Sequence, residues 1–231
     1  MDLKKIFSAL KETILEQFFP VTCPFCGKVI SFRLDSCEEC RKNLSFLTDV
    51  CERCGKRKCI CDRLVYLDRV FAPFVYEGSV EFSIHRFKFQ GHPEYATVFA
   101  RYIVGYYGLN RLKEDFDCIA FVPMIRSHQR ERGYNQAEEL AKAIGNFSGL
   151  PVLSHALIKT RKTPAQHFLS YEERIINLNG AFSPGNDSFS GKRVLLCDDV
   201  YTTGTTLNEC SRVLKNNGAV QVTGAVIASA Q

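Results

Sequence analysis

The sequence predicts an α/β protein, a mainly parallel sheet covered by helices on both faces, preceded by a small cysteine-rich, zinc-binding module. Three observations predict it. From about residue 64, apolar strand-like runs alternate with helix-like periodicities, the pattern of a parallel sheet with crossover helices. One such run, starting at Val194, stops on Asp198 and Asp199 and leads into "TTGTT" (202–206) and a helical pattern. Eight of the eleven cysteines fall between residues 23 and 61 in four closely spaced pairs.

The chain has 231 residues, enough for one medium domain plus a small module. We divide it into a helix over 1–20, a cysteine module over 21–63 and the α/β domain over 64–231. The apolar fraction of 45% is that of a globular protein, and the net charge of +5 does not by itself imply a nucleic-acid partner. The first twenty residues meet Lys11 and Glu12 too soon to read as a secretory leader. No stretch is long and apolar enough to span a bilayer. We therefore expect a cytoplasmic protein, with peripheral attachment at the inner membrane face as a further expectation. Cytosolic thiols stay reduced, so clustered cysteines point to metal rather than disulfides.

Residues 1–19 repeat Leu3, Ile6, Leu10, Ile14 and Phe18 at helical spacing, and Pro20 ends the pattern. We expect this stripe to pack on the protein's own body. Residues 69–78 read as a strand ending in a turn at Gly78. Residues 79–91 and 94–108 read as helices. Residues 116–123 form a buried strand stopped by Pro123. Asn135 and Glu138 fit a capping box opening a helix over 135–147. Residues 150–157 read as a short strand, and Ser170 with Glu173 as a second capping box opening a helix to Gly180. A strand follows over 192–199, then a helix over 206–218 and a last strand over 219–228.

The cysteine spacing is Cys23-x2-Cys26, Cys37-x2-Cys40, Cys51-x2-Cys54 and Cys59-x-Cys61. A Cys-x-x-Cys turn puts two sulfurs on one side of a tight loop, and two such turns close a tetrahedral zinc site. We assign one site to Cys23, Cys26, Cys37 and Cys40 and a second to Cys51, Cys54, Cys59 and Cys61. The one-residue gap at Cys59–Cys61 leaves a cross-braced pairing open, and an iron–sulfur cluster is a minor alternative. Four-cysteine sites are closed to water, and a segment this poor in apolar bulk needs metal to fold, so the role is structural. Lys56, Arg57 and Lys58 look basic, but two Zn²⁺ with eight thiolates sum to about −4.

A strand, a short loop and a helix N-terminus form the edge where open α/β sheets bind ligands. The loop amides, the helix N-terminus and the hydroxyls of Thr202, Thr203, Thr205 and Thr206 suit a phosphate monoester, and Gly204 lets the backbone approach closely. The lysine-bearing Walker pattern is missing. Asp198 and Asp199 accept hydrogen bonds and suit vicinal sugar hydroxyls. Together the two halves fit a ribose 5-phosphate. The plain alternative is a strand–turn–helix capped by Thr206 and Glu209.

"VLLCDDVYTTGTT" resembles the phosphoribosyl diphosphate signature of type I phosphoribosyltransferases. "VPMIRSHQRERGYNQAEELA" and "KTRKTPAQHFLSYEERIINLNGAF", behind a cysteine module, resemble the ComF (ComFC) competence family over residues 20–228. The resemblance implies a phosphoribosyltransferase type I fold with an N-terminal zinc finger and a part in DNA uptake beside a helicase-like partner. It also implies that Asp198 and Asp199 hold the ribose 2- and 3-hydroxyls while residues 202–206 cradle the 5-phosphate. The segment after Pro123, with Arg130 and Arg132, would be the pyrophosphate loop. Ile125 and Arg126 stand where relatives carry a His-Pro pair.

Two basic clusters remain, Arg126, Arg130 and Arg132, and Lys159, Arg161 and Lys162. Both would serve pyrophosphate or a nucleic-acid backbone if their strands end on one sheet edge. Phe87 and Phe89, interleaved with basic residues, are expected to be packing residues rather than a base-stacking platform. His85 and His92 are not expected to bind metal. Gln166, Arg174 and Asn177 would serve a flap or cap a helix, and Cys118, Cys197 and Cys210 are expected to be inert core thiols. Two functions are carried forward. One is a binding module for single-stranded DNA or a helicase-like protein whose pocket holds phosphoribosyl diphosphate or a nucleotide. The other is an active phosphoribosyltransferase using phosphoribosyl diphosphate and Mg²⁺. A regulator whose partner contacts respond to the pocket ligand is a weaker third.

Overall fold

A computed structural model describes residues 21–31, 34–163 and 171–231. The helix expected over 1–20, the Ser170 cap and Gln166 lie outside the described residues.

The main sheet is parallel. Its strands are β3 (Arg69–Phe71), β4 (Phe74–Val75), β5 (Cys118–Phe121), β8 (Arg193–Tyr201) and β9 (Gln221–Ser229). The order is β3-β9-β8-β5, with β4 continuing β3 along the same edge of β9. The single strand expected over 69–78 is thus two pieces. Pro73 lies between them, and it has no N–H to give a ladder. Gly78 is not a closing turn; it opens helix α2 (Gly78–Phe89).

Alternate residues of the strands feed two cores. Ile119, Leu195, Cys197 and Ile227 pack with Ile84, Phe87, Phe99 and Leu140. Those partners belong to α2, to α3 (Tyr95–Tyr107) and to α6 (Gln136–Ser148). On the opposite face Cys118, Leu196 and Val226 pack with Leu207, Cys210 and Leu214 of α8 (Thr205–Asn216). Both faces are covered, as the alternation of patterns requires. Cys118, Cys197 and Cys210 are buried in these cores.

Several boundaries differ from expectation. The strand expected over 150–157 survives as one parallel bridge, Ile119 to Val152. The strand that forms is β6 (Leu157–Lys159), antiparallel to β7 (Phe182–Pro184) and outside the main sheet. Two short helices went unread, α4 (Leu109–Asp115) and α5 (Arg126–Arg132). Asn135 does cap α6, accepting from the Ala137 N–H. Glu138 pairs with Lys142 one turn on instead of closing the box.

The cysteine module holds a hairpin, β1 (Val21–Thr22) with β2 (Val29–Ile30), and helix α1 (Glu38–Asn43). It is packed into the domain. Phe25 is buried edge-on against Phe74, Phe99 and Tyr102.

Candidate functional site

The eight sulfurs of the module form two sets. Cys23, Cys26, Cys37 and Cys40 converge, as do Cys51, Cys54, Cys59 and Cys61, with all sulfurs of a set within 4.8 Å of one another. Sequential pairing is therefore the arrangement present, not the cross-braced one. Zn–S bonds of about 2.3 Å at tetrahedral angles separate sulfurs by about 3.8 Å. Cys26 and Cys37 lie 3.6 Å apart, Cys51 and Cys61 3.6 Å, and Cys54 and Cys59 3.9 Å. The residues fit structural zinc.

Backbone N–H groups favour the thiolate at two of the ligands, whereas burial pushes Cys26, Cys40 and Cys61 up. In each knuckle a glycine N–H donates to the first cysteine carbonyl, Gly27 to Cys23 and Gly55 to Cys51. The Cys40 N–H donates to the Cys37 sulfur and holds that thiol down to about 7. The N–H groups of Cys54 and Arg53 hold Cys51 down to about 6.

The basic run of the module is not all surface. Lys56 is buried, its ammonium 4.7 Å above the Tyr201 ring and donating to the Ala230 carbonyl. Burial pushes its pKa down to about 8. The second knuckle is thus pinned beside the end of β8.

Strand β8 runs two residues past the expected end, through Val200 and Tyr201. Both aspartates therefore lie within a pleated strand, whose successive side chains point to opposite faces. Asp199 meets Lys88 of α2, Oδ1 to Nζ 3.0 Å. Asp198 faces the α8 side, where its charge acts on Lys159 and Cys210. The Asp199 N–H donates to Asp198 Oδ1 at 2.9 Å. Burial, then the neighbouring Asp199 charge, holds the Asp198 carboxyl well above the usual carboxylate range.

Asp198 lines a small cleft with Thr202, Thr203, Gly204, Thr205 and Thr206. Gly204 caps α8 at φ 80°, and a β-carbon there would lie 2.9 Å from Leu64 Cδ2 and 2.9 Å from Tyr201 Cε2. Only glycine fits both the left-handed backbone and the space. The first helical bond of α8 runs from Asn208 N–H to Gly204 carbonyl, so the amides of 205–207 are not used within the helix. Thr203 and Thr205 hydroxyls are 2.9 Å apart. Such a turn offers amide and hydroxyl donors to an anion. The Thr206–Glu209 capping box does not form. Glu209 pairs with Arg212 and accepts from the Gly180 N–H.

The members of the two basic clusters have different surroundings. Arg126 and Arg130 are exposed on α5, which follows β5 directly beside β8. Arg132 lies 4.7 Å above the Phe89 ring and donates to Gln136. Lys159 sits 5.5 Å over Phe182, and burial lowers its pKa. Arg161 turns away to the carbonyls of Asn177 and Asn179, closing α7 (Tyr171–Leu178). Lys162 is exposed. Only one of the two expected packing aromatics is buried. Phe87 is in the core, whereas Phe89 is 53% exposed with Arg132 on its ring. His85 stacks against Phe89 and His92 against Tyr95, and neither joins a cluster of metal-ligating groups among the described residues.

Sequence reasoning did not bring out Lys88. Its only signal was its place in a basic-aromatic segment, and it meets Asp199 through the docking of α2.

A family profile described as the phosphoribosyl transferase domain matches residues 132–231. A second, described as a double zinc ribbon domain, matches residues 14–66. "Competence protein F" of Haemophilus influenzae is 32% identical over 168 residues, 70% of this chain and 70% of that protein. "DNA utilization protein YhgH" of Escherichia coli O157:H7 is 31% identical over 150 residues, 64% of this chain and 66% of that protein. Among solved structures, a glutamine phosphoribosylpyrophosphate amidotransferase from B. subtilis aligns at 21% identity and TM-score 0.41, over 62% of this chain and 30% of that one. Among the described residues no helix is long and apolar enough to cross a membrane.

Proposed function

We propose a function for a chain that belongs to the competence protein F (ComF, ComFC) family: a DNA-uptake protein with a ribose 5-phosphate pocket, acting as a nucleic-acid or partner-binding module. The observation that carries the pocket is the shared cleft of Asp198 with residues 202–206. Thr202 to Thr206 receive the 5-phosphate. Asp198, in the cleft, and Asp199, on the Lys88 side of the strand, take the ribose hydroxyls across the end of β8. The ligand is phosphoribosyl diphosphate or a nucleotide, and Mg²⁺ accompanies the diphosphate group. Zinc holds the cysteine module in shape and takes no part in chemistry.

The uptake role rests on the family. Relatives carry the names competence protein F and DNA utilization protein. Single-stranded DNA or a helicase-like protein is the partner we expect. Arg126 and Arg130 are exposed cations on α5, the helix after β5, which pairs with β8, and they suit a phosphate backbone. We expect the protein to work in the cytoplasm, at the inner membrane face.

Thermal shift with phosphoribosyl diphosphate and Mg²⁺ tests the pocket. The shift should shrink in Asp199→Asn; an unchanged shift removes the diol contact.

The second reading is an active phosphoribosyltransferase. One observation favours it: Asp198, held toward neutrality in a cleft, is poised for proton exchange with a nitrogen nucleophile. A product assay with phosphoribosyl diphosphate and a panel of bases decides; turnover on any base makes the protein a transferase.

A further inference from the structure

The Lys88–Asp199 pair has a place in neither core. Lys88 stands in the last turn of α2, and its ammonium meets Asp199 with both side chains under a fifth exposed. A half-buried pair of this kind is strongly disfavoured when one partner is left alone. Yet Asp199 is the residue that ribose hydroxyls would engage. A diol brings hydrogen bonds and no positive charge. A ligand hydroxyl that displaces Lys88 from Oδ1 leaves the ammonium to find another anion.

The protein offers Lys88 little. Asp198 lies on the α8 side of the strand, though the Lys88 charge acts on it as the Lys159 charge does. Glu81, two turns back on α2, is exposed. Arg132 lies over Phe89, the residue that follows Lys88 in the chain. The loop after β5 also begins here, the Val122 N–H donating to the Cys197 carbonyl two residues before Asp199. Asp199, Lys88 and the start of the loop thus meet at one end of the sheet.

A ribose whose diol lies on the aspartates projects its C1 substituent beside the 2-hydroxyl. That places C1 within a lysine's reach of Asp199. Resting on the ribose-phosphate reading above, we propose that Lys88 is an exchangeable counter-ion. The ribose hydroxyls displace its ammonium from Asp199, and the released ammonium binds a diphosphate on C1. Lys88 then sets the preference of the pocket for phosphoribosyl diphosphate over ribose 5-phosphate. The unliganded pair keeps the acid neutralised, and a ligand without the C1 anion leaves a lysine stranded.

Calorimetric titration of the full chain with each ligand, in Mg²⁺, tests this on wild type, Lys88→Met and Lys88→Arg. Lys88→Met should weaken phosphoribosyl diphosphate roughly tenfold or more, the scale of a charge-assisted hydrogen bond. Ribose 5-phosphate should bind as well as before or more tightly, because Asp199 is released. Lys88→Arg should restore the preference. Equal loss for both ligands would mean that Lys88 only holds Asp199, and the proposal would be wrong; so would no change for either. Wild type binding neither ligand would overturn the ribose-phosphate reading along with it. Should Lys88→Met fail to fold, Asp199→Asn carries the test. Its lysine is already released, so the preference for the diphosphate must persist while both ligands weaken, and a lost preference refutes the exchange.

Discussion

Leu64 packs directly beneath Gly204: a β-carbon on the glycine would lie 2.9 Å from the leucine Cδ2. Leu64 follows the second cysteine centre at once, after the short 3₁₀ turn Cys61–Arg63. The floor of the threonine turn is therefore supplied by the residue that follows the zinc module directly. Asn208 reinforces the junction, its side-chain oxygen accepting from the Tyr66 and Leu67 N–H groups.

Gly204→Ala should cost stability and binding together. The left-handed φ and the contacts with Leu64 and Tyr201 each oppose a methyl group. We expect a loss of about 1–3 kcal/mol in urea unfolding, together with loss of the phosphoribosyl diphosphate shift.

Zinc should be present at two atoms per chain, measured by elemental analysis. Cys61→Ser should lower the count to one and reduce the ligand-induced thermal shift, because Leu64 loses its anchor. Cys26→Ser also removes one zinc but lies in the centre away from Gly204, so its effect on the ligand shift should be smaller. Equal effects would dissociate the second centre from the turn.

Asp198 makes stability depend on pH. Its folded pKa, raised to about 7 by burial and then by Asp199, exceeds that of the unfolded chain. The fold therefore favours the protonated acid. That contribution is full below the ordinary carboxylate range and is lost as pH rises through about 7. Asp198→Asn should match wild type near pH 4 and exceed it at pH 8 in thermal unfolding. A gain confined to acid would contradict the burial argument.

Single-stranded DNA binding should fall with salt. Each phosphate contact contributes about 0.7 to the logarithmic slope on single strands, so replacing both Arg126 and Arg130 by alanine should lower it by about 1.4. A slope unchanged by that pair would move any DNA contact off α5.

What could be read from the chain alone was what is local. Cysteine ligands lie within three residues of their pair partner, so spacing reveals the sets. The threonine turn follows its strand directly, so donors and acids are visible together. Contacts that depend on docking stayed hidden. Lys88 and Asp199 are 111 positions apart, and nothing in the "HRFKFQGH" pattern says which side chain turns to the sheet. Phe87 and Phe89 look equivalent in sequence, yet one is core and the other carries Arg132. Arg161 reads as a phosphate ligand until α7 presents its terminal carbonyls. The strand over 150–157 failed because Pro151 and Ser154 interrupt an apolar run, leaving a single bridge at Val152.

The most direct measurement is a crystal structure of the protein with ribose 5-phosphate. The account predicts the phosphate within hydrogen-bonding distance of the amides of residues 202–206, with the sugar hydroxyls on Asp198 and Asp199. A phosphate bound elsewhere, or a sugar turned away from both acids while the turn holds the phosphate, would contradict it.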